Sequence, residues 1–202
     1  MTSARYIAFE GLEGCGKSTH VIRLAANLNG VATREPGGTA LGATLRATMA
    51  DTSNTALSPR AEALMMAADR AQHLDEVVSP ALAEGRHVVS DRSVYSSLAY
   101  QGYGRMLDLG ELRQINNWAI GGRWPDLVVF ISVPLEVLFE RLQKRELDRF
   151  EREDRTFFER VLIGFQTMAS ADPERWLIID GMPPKNELEP IITRLVRERL
   201  SL

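Results

Sequence analysis

Residues 11–19 read Gly11-Leu12-Glu13-Gly14-Cys15-Gly16-Lys17-Ser18-Thr19, which fits the spacing GxxxxGK[ST]. A strand-sized apolar run, YIAF at 6–9, stands before it, and a helical pattern reaching residue 29 follows it. Strand, glycine-rich turn and helix, in that order, give this spacing its chemical meaning. Glycines let successive backbone N–H groups curl around phosphate oxygens, and the N-terminus of the following helix adds positive dipole. Lys17 is then placed for the β- and γ-phosphates of a nucleoside triphosphate, and the Ser18 hydroxyl for Mg²⁺. No packing reason calls for a lysine between glycines and a helix start. Gly11, Leu12, Glu13, Gly14, Cys15, Gly16, Lys17, Ser18 and Thr19 are therefore read as one ATP/phosphate cradle. Such a cradle serves kinases, switches and motor ATPases alike, so it does not by itself name a reaction.

Outward from the cradle, four more short runs look like strands: GVAT at 30–33, HVVS at 87–90, LVVFISV at 127–133 and WLII at 176–179. They are nearly continuously apolar rather than alternating, as parallel strands covered on both faces are. Helical periods fill the intervals at 17–29, 60–84, 109–120, 134–145, 155–171 and 184–200. Ser58 and Pro59 read as N-cap and first residue of the long 60–84 segment, and Asp108 with Glu111 as a capping box. Gly30, Gly85 and Gly121-Gly122 fall where helices should stop, and Pro80 should kink or restart the long segment. The expected fold is α/β, a P-loop NTPase three-layer sandwich. Its five-stranded parallel sheet is flanked by helices on both faces, in a single domain over 1–202.

The chain has 202 residues, 45% of them apolar, with 24 Lys+Arg against 27 Asp+Glu, a formal charge of −3. That length can bury a full core without disulfides or metals. The slightly acidic balance lacks the basic footprint of a protein that holds long nucleic acid by its phosphates. One cysteine, Cys15, and scattered His20, His73 and His87 offer no internal disulfide and no zinc-type cluster. Residues 1–5 run into the first strand without a secretory h-region, and no run reaches the roughly 18 apolar residues of a membrane span. A cytoplasmic protein is expected, with no nucleic-acid or membrane partner.

A second constellation lies at the expected carboxyl edge of the sheet, where open α/β folds bind ligands. Asp91 ends the third strand and is placed as a magnesium ligand beside Ser18, while Arg92 can chelate a phosphate bidentately. Arg34 opens the polar segment that follows the second strand, and Arg46 lies on the next helix. Met66, Arg70 and His73 fall at i, i+4, i+7 on one helical face, and Ser97 with Gln101 at i, i+4 on another. Taken alone, Met66 reads equally as core, His73 as a satisfied residue, and Ser97 and Gln101 as solvated helix positions.

Six stretches together resemble the thymidylate kinase family of nucleoside monophosphate kinases: FEGLEGCGKST at 9–19, TREPGGT at 33–39, ALMMAADRAQH at 63–73, DRSVYSSLAYQG at 91–102, GGRWPDL at 121–127 and ELDRFE at 146–151. The resemblance implies phosphorylation of dTMP to dTDP with ATP and Mg²⁺, feeding dTTP synthesis for DNA replication, by a homodimer. It implies that Glu13 faces the sugar 3′-hydroxyl and that Arg34, Arg46 and Arg92 hold the acceptor phosphate. Arg70 would address the thymine O4 edge, with Ser97 and Gln101 on the rest of the base. The sequence departs from the family at Met66, where members usually carry a stacking aromatic, and at Ser132, where an acid is common.

A charged segment over about 141–155 carries six basic residues among five acids. One reading is a solvated helix laced with pairs such as Asp148–Arg152 and Glu151–Arg155. The other is a short mobile lid that brings an arginine over the γ-phosphate. The P-loop of this chain carries no arginine of its own, which in the family points to the bacterial subtype with lid arginines. Arg149 is the first candidate, followed by Arg145 and Arg141. Two rivals stay open: another small-molecule kinase, which for a nucleoside acceptor would not need the trio of arginines, and a nucleotide switch, whose guanine-reading NKxD motif is missing from the sequence.

Overall fold

The computed structural model describes residues 3–143 and 146–202. Five strands form one parallel sheet: β1 Tyr6–Glu10, β2 Val31–Arg34, β3 Val88–Asp91, β4 Leu127–Ser132 and β5 Trp176–Asp180, in the order β2-β3-β1-β4-β5. Helices α1 Lys17–Asn27, α2 Ala40–Ala50, α3 Pro59–His73, α4 Ser79–Ala83, α5 Val94–Ser97, α6 Leu109–Ala119, α7 Leu135–Leu142, α8 Arg155–Ala171 and α9 Lys185–Leu200 connect and cover them. The α/β sandwich read from the sequence is the fold observed.

The apolar-run argument holds for the inner strands β1, β3 and β4, which are buried almost throughout. It does not hold at the edges. β2 alternates half-buried with exposed residues, and β5 exposes Ile178 and Asp180, because an edge strand is shielded on fewer sides. Each of β1, β2, β3 and β5 runs one residue past the apolar run that marks it, and those last residues are the polar ones: Glu10, Arg34, Asp91 and Asp180. In register, Phe9 and Arg34 both pair with Asp91. Three neighbouring strands thus deliver Glu10, Asp91 and Arg34 to one edge of the sheet.

Ser58 caps α3 by accepting from Ala61 N, Asp108 caps α6 by accepting from Glu111 N, and both openings are as expected. Pro80 does restart its helix. Five π-helical residues, Leu74–Val78, absorb the mismatch between α3 and α4, where a proline would otherwise strike the preceding turn. A second π-helical stretch, Leu98–Gly104, continues α5 and carries Tyr100 and Gln101. At the end of α1 it is Asn29, not Gly30, that takes the left-handed conformation, with φ 50°. Gly30 is needed for space instead, since a Cβ there would stand 2.6 Å from the His87 carbonyl oxygen. Lys144 and Arg145, at the end of the expected 134–145 helix, lie outside the described residues.

Candidate active site

The cradle forms as its sequence requires. Gly11, Gly14 and Gly16 adopt φ of 142°, 77° and 96°, and a Cβ on Gly11 would lie 2.7 Å from the Ile131 carbonyl oxygen. Only glycine meets both demands there. Lys17, 6% exposed, donates from Nζ to the carbonyls of Gly11 and Leu12, both at 2.9 Å, so its ammonium spans the loop mouth. The Ser18 hydroxyl donates to Asp91 Oδ2 at 2.5 Å, and Thr19 Oγ1 accepts from Lys185 Nζ at 3.0 Å. Lys185, at the start of α9, is a cation beside the loop that the sequence reading missed.

The Ser18–Asp91 contact also tests the metal expectation. Two hard oxygen donors sit together beside the cradle, and among the described residues no cluster of three or more His, Cys, Asp or Glu could hold a metal unaided. That suits Mg²⁺, which keeps waters and binds through one or two protein oxygens plus substrate phosphates.

One cleft of about 790 Å³ runs from the cradle past Arg34, Arg46 and Arg92 to Met66, Arg70, Ser97 and Gln101. Arg92 has a φ of 75°, an uncommon and costly conformation for a side-chain-bearing residue, of the kind that clusters at functional sites. Its guanidinium donates to Glu13 Oε1 at 2.5 Å, Ser96 Oγ at 3.0 Å and Tyr100 Oη at 3.1 Å, and lies 4.8 Å from the Tyr100 ring centre. Burial alone would lower the Arg92 pKa, but Tyr100, Glu13, Glu10 and Asp91 outweigh it and hold it well above the usual arginine range. Burial raises Tyr100, keeping its hydroxyl protonated to donate to Glu13 Oε2 at 2.7 Å. Arg46 is pushed down, first by burial and then by the like charges of Arg34 and Arg92. Arg34 and Arg92 thus crowd a third cation, Arg46, along the same stretch of the cleft.

At the far end Arg70, 2% exposed, donates Nε to Glu35 Oε2 at 2.7 Å, Nη1 to Ser97 Oγ at 3.1 Å and to Asn116 Oδ1, and Nη2 to the Ser93 carbonyl at 3.1 Å. A guanidinium has five N–H donors. Four have partners among the described residues, which leaves one Nη2 hydrogen over on a side chain that lines the cleft. Glu35 also meets His73 Nδ1 at 2.8 Å, while His73 Nε2 meets Thr33 Oγ1 at 2.7 Å. His73 is therefore a satisfied buried residue, whereas Ser97 and Gln101, each 1% exposed, are not solvated helix positions. Burial opposes ionisation of Glu35, but Arg70 and His73 more than offset it and lower its pKa.

Residues 146–154 are turns and not a helix of i,i+4 pairs. Asp148 and Glu151 cap one another, each side chain accepting from the other's backbone N–H, at 3.2 and 3.0 Å. Arg155 pairs with Glu136 at 2.5 Å and Glu159 at 2.8 Å, and Arg152 Nε donates to the Leu147 carbonyl at 3.2 Å. Arg141 lies against the cradle, its Nη1 donating to the Gly14 carbonyl at 3.0 Å. Arg149 does not: its Nε donates to the Met49 carbonyl at 2.7 Å and its Nη2 pairs with Glu62. Of the two candidates among the described residues, Arg141 is the one at the cradle, while Arg145 lies outside the described residues. Asp148, Phe150 and Glu151 of the same segment line the cleft.

Glu10 was not singled out in the sequence. It is fully buried at the end of β1, accepts from Ser93 Oγ at 2.8 Å and Ser96 Oγ at 2.6 Å, and its carboxyl is pushed up to about 7 by burial. A carboxyl raised in the folded state contributes stability below its unfolded pKa that is lost as pH rises to about 7. Glu10→Gln should therefore melt a few degrees above the wild type at pH 8, and the gain should shrink towards pH 5. Thermal melts at both values check this, and an equal shift at each would contradict it.

A parallel sheet with a glycine-rich strand–loop–helix, a Ser18–Asp91 oxygen pair beside it and a contiguous arginine-lined cleft is the architecture of a phosphotransferase. The chain matches the family model "Thymidylate kinase" over residues 9–192. It is 46% identical over 185 residues to the thymidylate kinase of Desulforudis audaxviator, covering 89% of this chain and 84% of that one. It is 43% identical to that of Nitratidesulfovibrio vulgaris, covering 97% of both. The fold superposes on the crystal structure of thymidylate kinase from Ehrlichia chaffeensis with a TM-score of 0.79 at 28% identity, over 96% of this chain and 99% of that one. The chain belongs to the thymidylate kinase family.

Proposed function

We propose that the chain transfers the γ-phosphoryl group of ATP to the 5′-phosphate of dTMP, giving dTDP for dTTP synthesis, and works in the cytoplasm as a homodimer. The observation that carries the reading is the continuity of one cleft, which joins the cradle to Arg34, Arg46 and Arg92 and then to Arg70, Ser97 and Gln101. A nucleoside acceptor would bring no phosphate to Arg34, Arg46 and Arg92, of which only Arg92 has a carboxylate partner, Glu13, among the described residues. On this reading Glu13, held by Arg92 and Tyr100, faces the sugar.

The nucleophile is already a phosphate oxygen anion, so no general base is required, and catalysis is positioning plus charge stabilisation. Lys17 leaves the loop carbonyls for the β- and γ-phosphates. Arg92 fixes the acceptor phosphate in line, and the Arg141 guanidinium, already at Gly14, meets charge developing on the transferred group. Mg²⁺, held by Ser18 and Asp91 together with the phosphates, would neutralise the β/γ oxygens.

Steady-state ADP formation by the purified chain tests the reading. Turnover should require dTMP as well as ATP and should stop when EDTA removes the metal. ATP hydrolysis indifferent to dTMP would contradict it. In the same assay Arg141→Ala and Arg149→Ala should each lower kcat roughly tenfold or more, by the scale of a lost charge-stabilising donor. A kcat near wild type in either variant would remove that arginine from the reaction. Met66→Phe should keep kcat and lower the KM for dTMP several-fold, since a ring stacks better than a thioether in the half-buried Met66 position. A large loss of activity would instead make Met66 a packing residue.

A further inference from the structure

Glu62, in the first turn of α3, is 1% exposed and gathers donors from three residues in two distant parts of the chain. Its Oε1 accepts from Gln101 Nε2 at 2.8 Å and Arg105 Nε at 3.3 Å, and its Oε2 accepts from Arg105 Nη2 at 3.2 Å and from Arg149 Nη2. Arg105 is in turn anchored to Glu153 at 2.6 Å, so the carboxylate is clamped between two cations.

A carboxylate can only accept hydrogen bonds, whereas a glutamine amide has a donating and an accepting end. The Gln101 amide must therefore turn its NH₂ towards Glu62. Its Oε1 has no donor among the described residues, yet it is not a sealed, orphaned atom, so it opens on the cleft that Gln101 lines beside Arg70 and Ser97. The base end of the cleft thus presents one fixed acceptor, Gln101 Oε1, together with the unused N–H of Arg70. Thymine and uracil carry a hydrogen on N3 and an oxygen on C4, which complement that pair. Cytosine carries a bare N3 and an amino group, and meets an acceptor with an acceptor and a donor with a donor. Buried polar groups left unpaired in this way are a strong source of discrimination.

We propose that Glu62 is a positioning residue that fixes the hydrogen-bond polarity of Gln101 and so selects acceptor bases protonated at N3. The proposal rests on the reading of this cleft as the dTMP site. Glu62 touches no substrate itself. A neutral amide in its place can donate or accept, and Gln101 is then free to turn over.

The test compares wild type, Glu62→Gln and Gln101→Ala, with Kd for dTMP and for dCMP measured by titration calorimetry on the same preparation of each. The ratio of the two constants does not depend on what fraction of a preparation is folded. Glu62→Gln should cut the preference for dTMP over dCMP by about tenfold or more, equivalent to about 1.4 kcal/mol, with dUMP behaving like dTMP. An unchanged ratio, with Gln101→Ala still weakening dTMP, would overturn the role of Glu62 and leave the base site standing. An unchanged dTMP affinity in Gln101→Ala would overturn the base site and the proposal together. Should Glu62→Gln fail to fold, Glu62→Asp, which keeps the charge but withdraws its oxygens by one methylene, should show the same loss of preference. Equal weakening of both ligands there would overturn the proposal.

Discussion

Lys17→Ala is expected to lower kcat at least a hundred- to thousandfold while leaving a folded protein, the scale on which removing one preorganised charge-stabilising donor acts. The Lys17 ammonium bonds two loop carbonyls and reaches towards the Cys15 sulfur at 3.6 Å, so it bridges the mouth of the cradle rather than pairing with a carboxylate. When phosphates arrive they are stronger acceptors than the carbonyls they displace. Loss of the side chain strands the carbonyls of Gly11 and Leu12, at a cost of about 1–3 kcal/mol, which is less than the roughly 5–15 kcal/mol by which a domain of this kind is stable. The hydrophobic core around β1 and β4 is not disturbed. Circular dichroism and a thermal melt establish folding, and an ADP assay gives the rate. A folded variant with near-wild-type turnover would refute the cradle role.

Arg92→Ala should be costly twice over. Its guanidinium is the cation facing Glu13 and lies in the field of the buried Glu10, so its removal leaves buried negative charge uncompensated, which typically costs about 3–5 kcal/mol. On the acceptor side, loss of a charged hydrogen bond of about 1.5–3 kcal/mol should lower kcat/KM for dTMP roughly ten- to a hundredfold. Alanine also inherits the left-handed backbone at φ 75°. Arg92→Gly relieves that strain and should melt above Arg92→Ala, by the equivalent of about 1 kcal/mol, with the same loss of kcat/KM. If glycine were no more stable than alanine, the backbone at this position would not be strained. A kcat/KM for dTMP near wild type in both would exclude Arg92 from the acceptor site.

What could be read from the sequence was what is fixed locally. The cradle is nine consecutive residues whose spacing is itself the geometry, and Ser58-Pro59 and Asp108 act on backbone groups within three positions. Strand interiors were legible from their apolar runs, but the ladder continues one residue beyond those runs, because Glu10, Arg34 and Asp91 extend it although they are polar. What escaped is held by long-range pairing. Arg70 was visible as a candidate, but Glu35, Ser93, Asn116 and Ser97, which aim it, lie 23 to 46 positions away. Glu62 is 39 positions from Gln101 and 87 from Arg149, and nothing in PRAE at 59–62 distinguishes it from an ordinary first-turn acid. Tyr100 and Gln101 stand together in SLAYQG, yet only the fold shows that the tyrosine grips Glu13 and Arg92. The charged segment misled because its i,i+4 spacing fits a helix equally well. Two mutual side-chain caps and the pull of the Met49 carbonyl and Glu62 on Arg149 favour turns instead.

The central claim, that one cleft joins a triphosphate cradle to a pocket for a thymine monophosphate, is tested most directly by the acceptor specificity of ADP release with Mg·ATP. The acceptors compared are dTMP, dUMP, dCMP, dGMP, AMP and thymidine. Fast turnover with dTMP, dependent on its phosphate and therefore not supported by thymidine, is the predicted result. Release that no acceptor raises above the rate with ATP alone, or that thymidine raises as well as dTMP does, would contradict it.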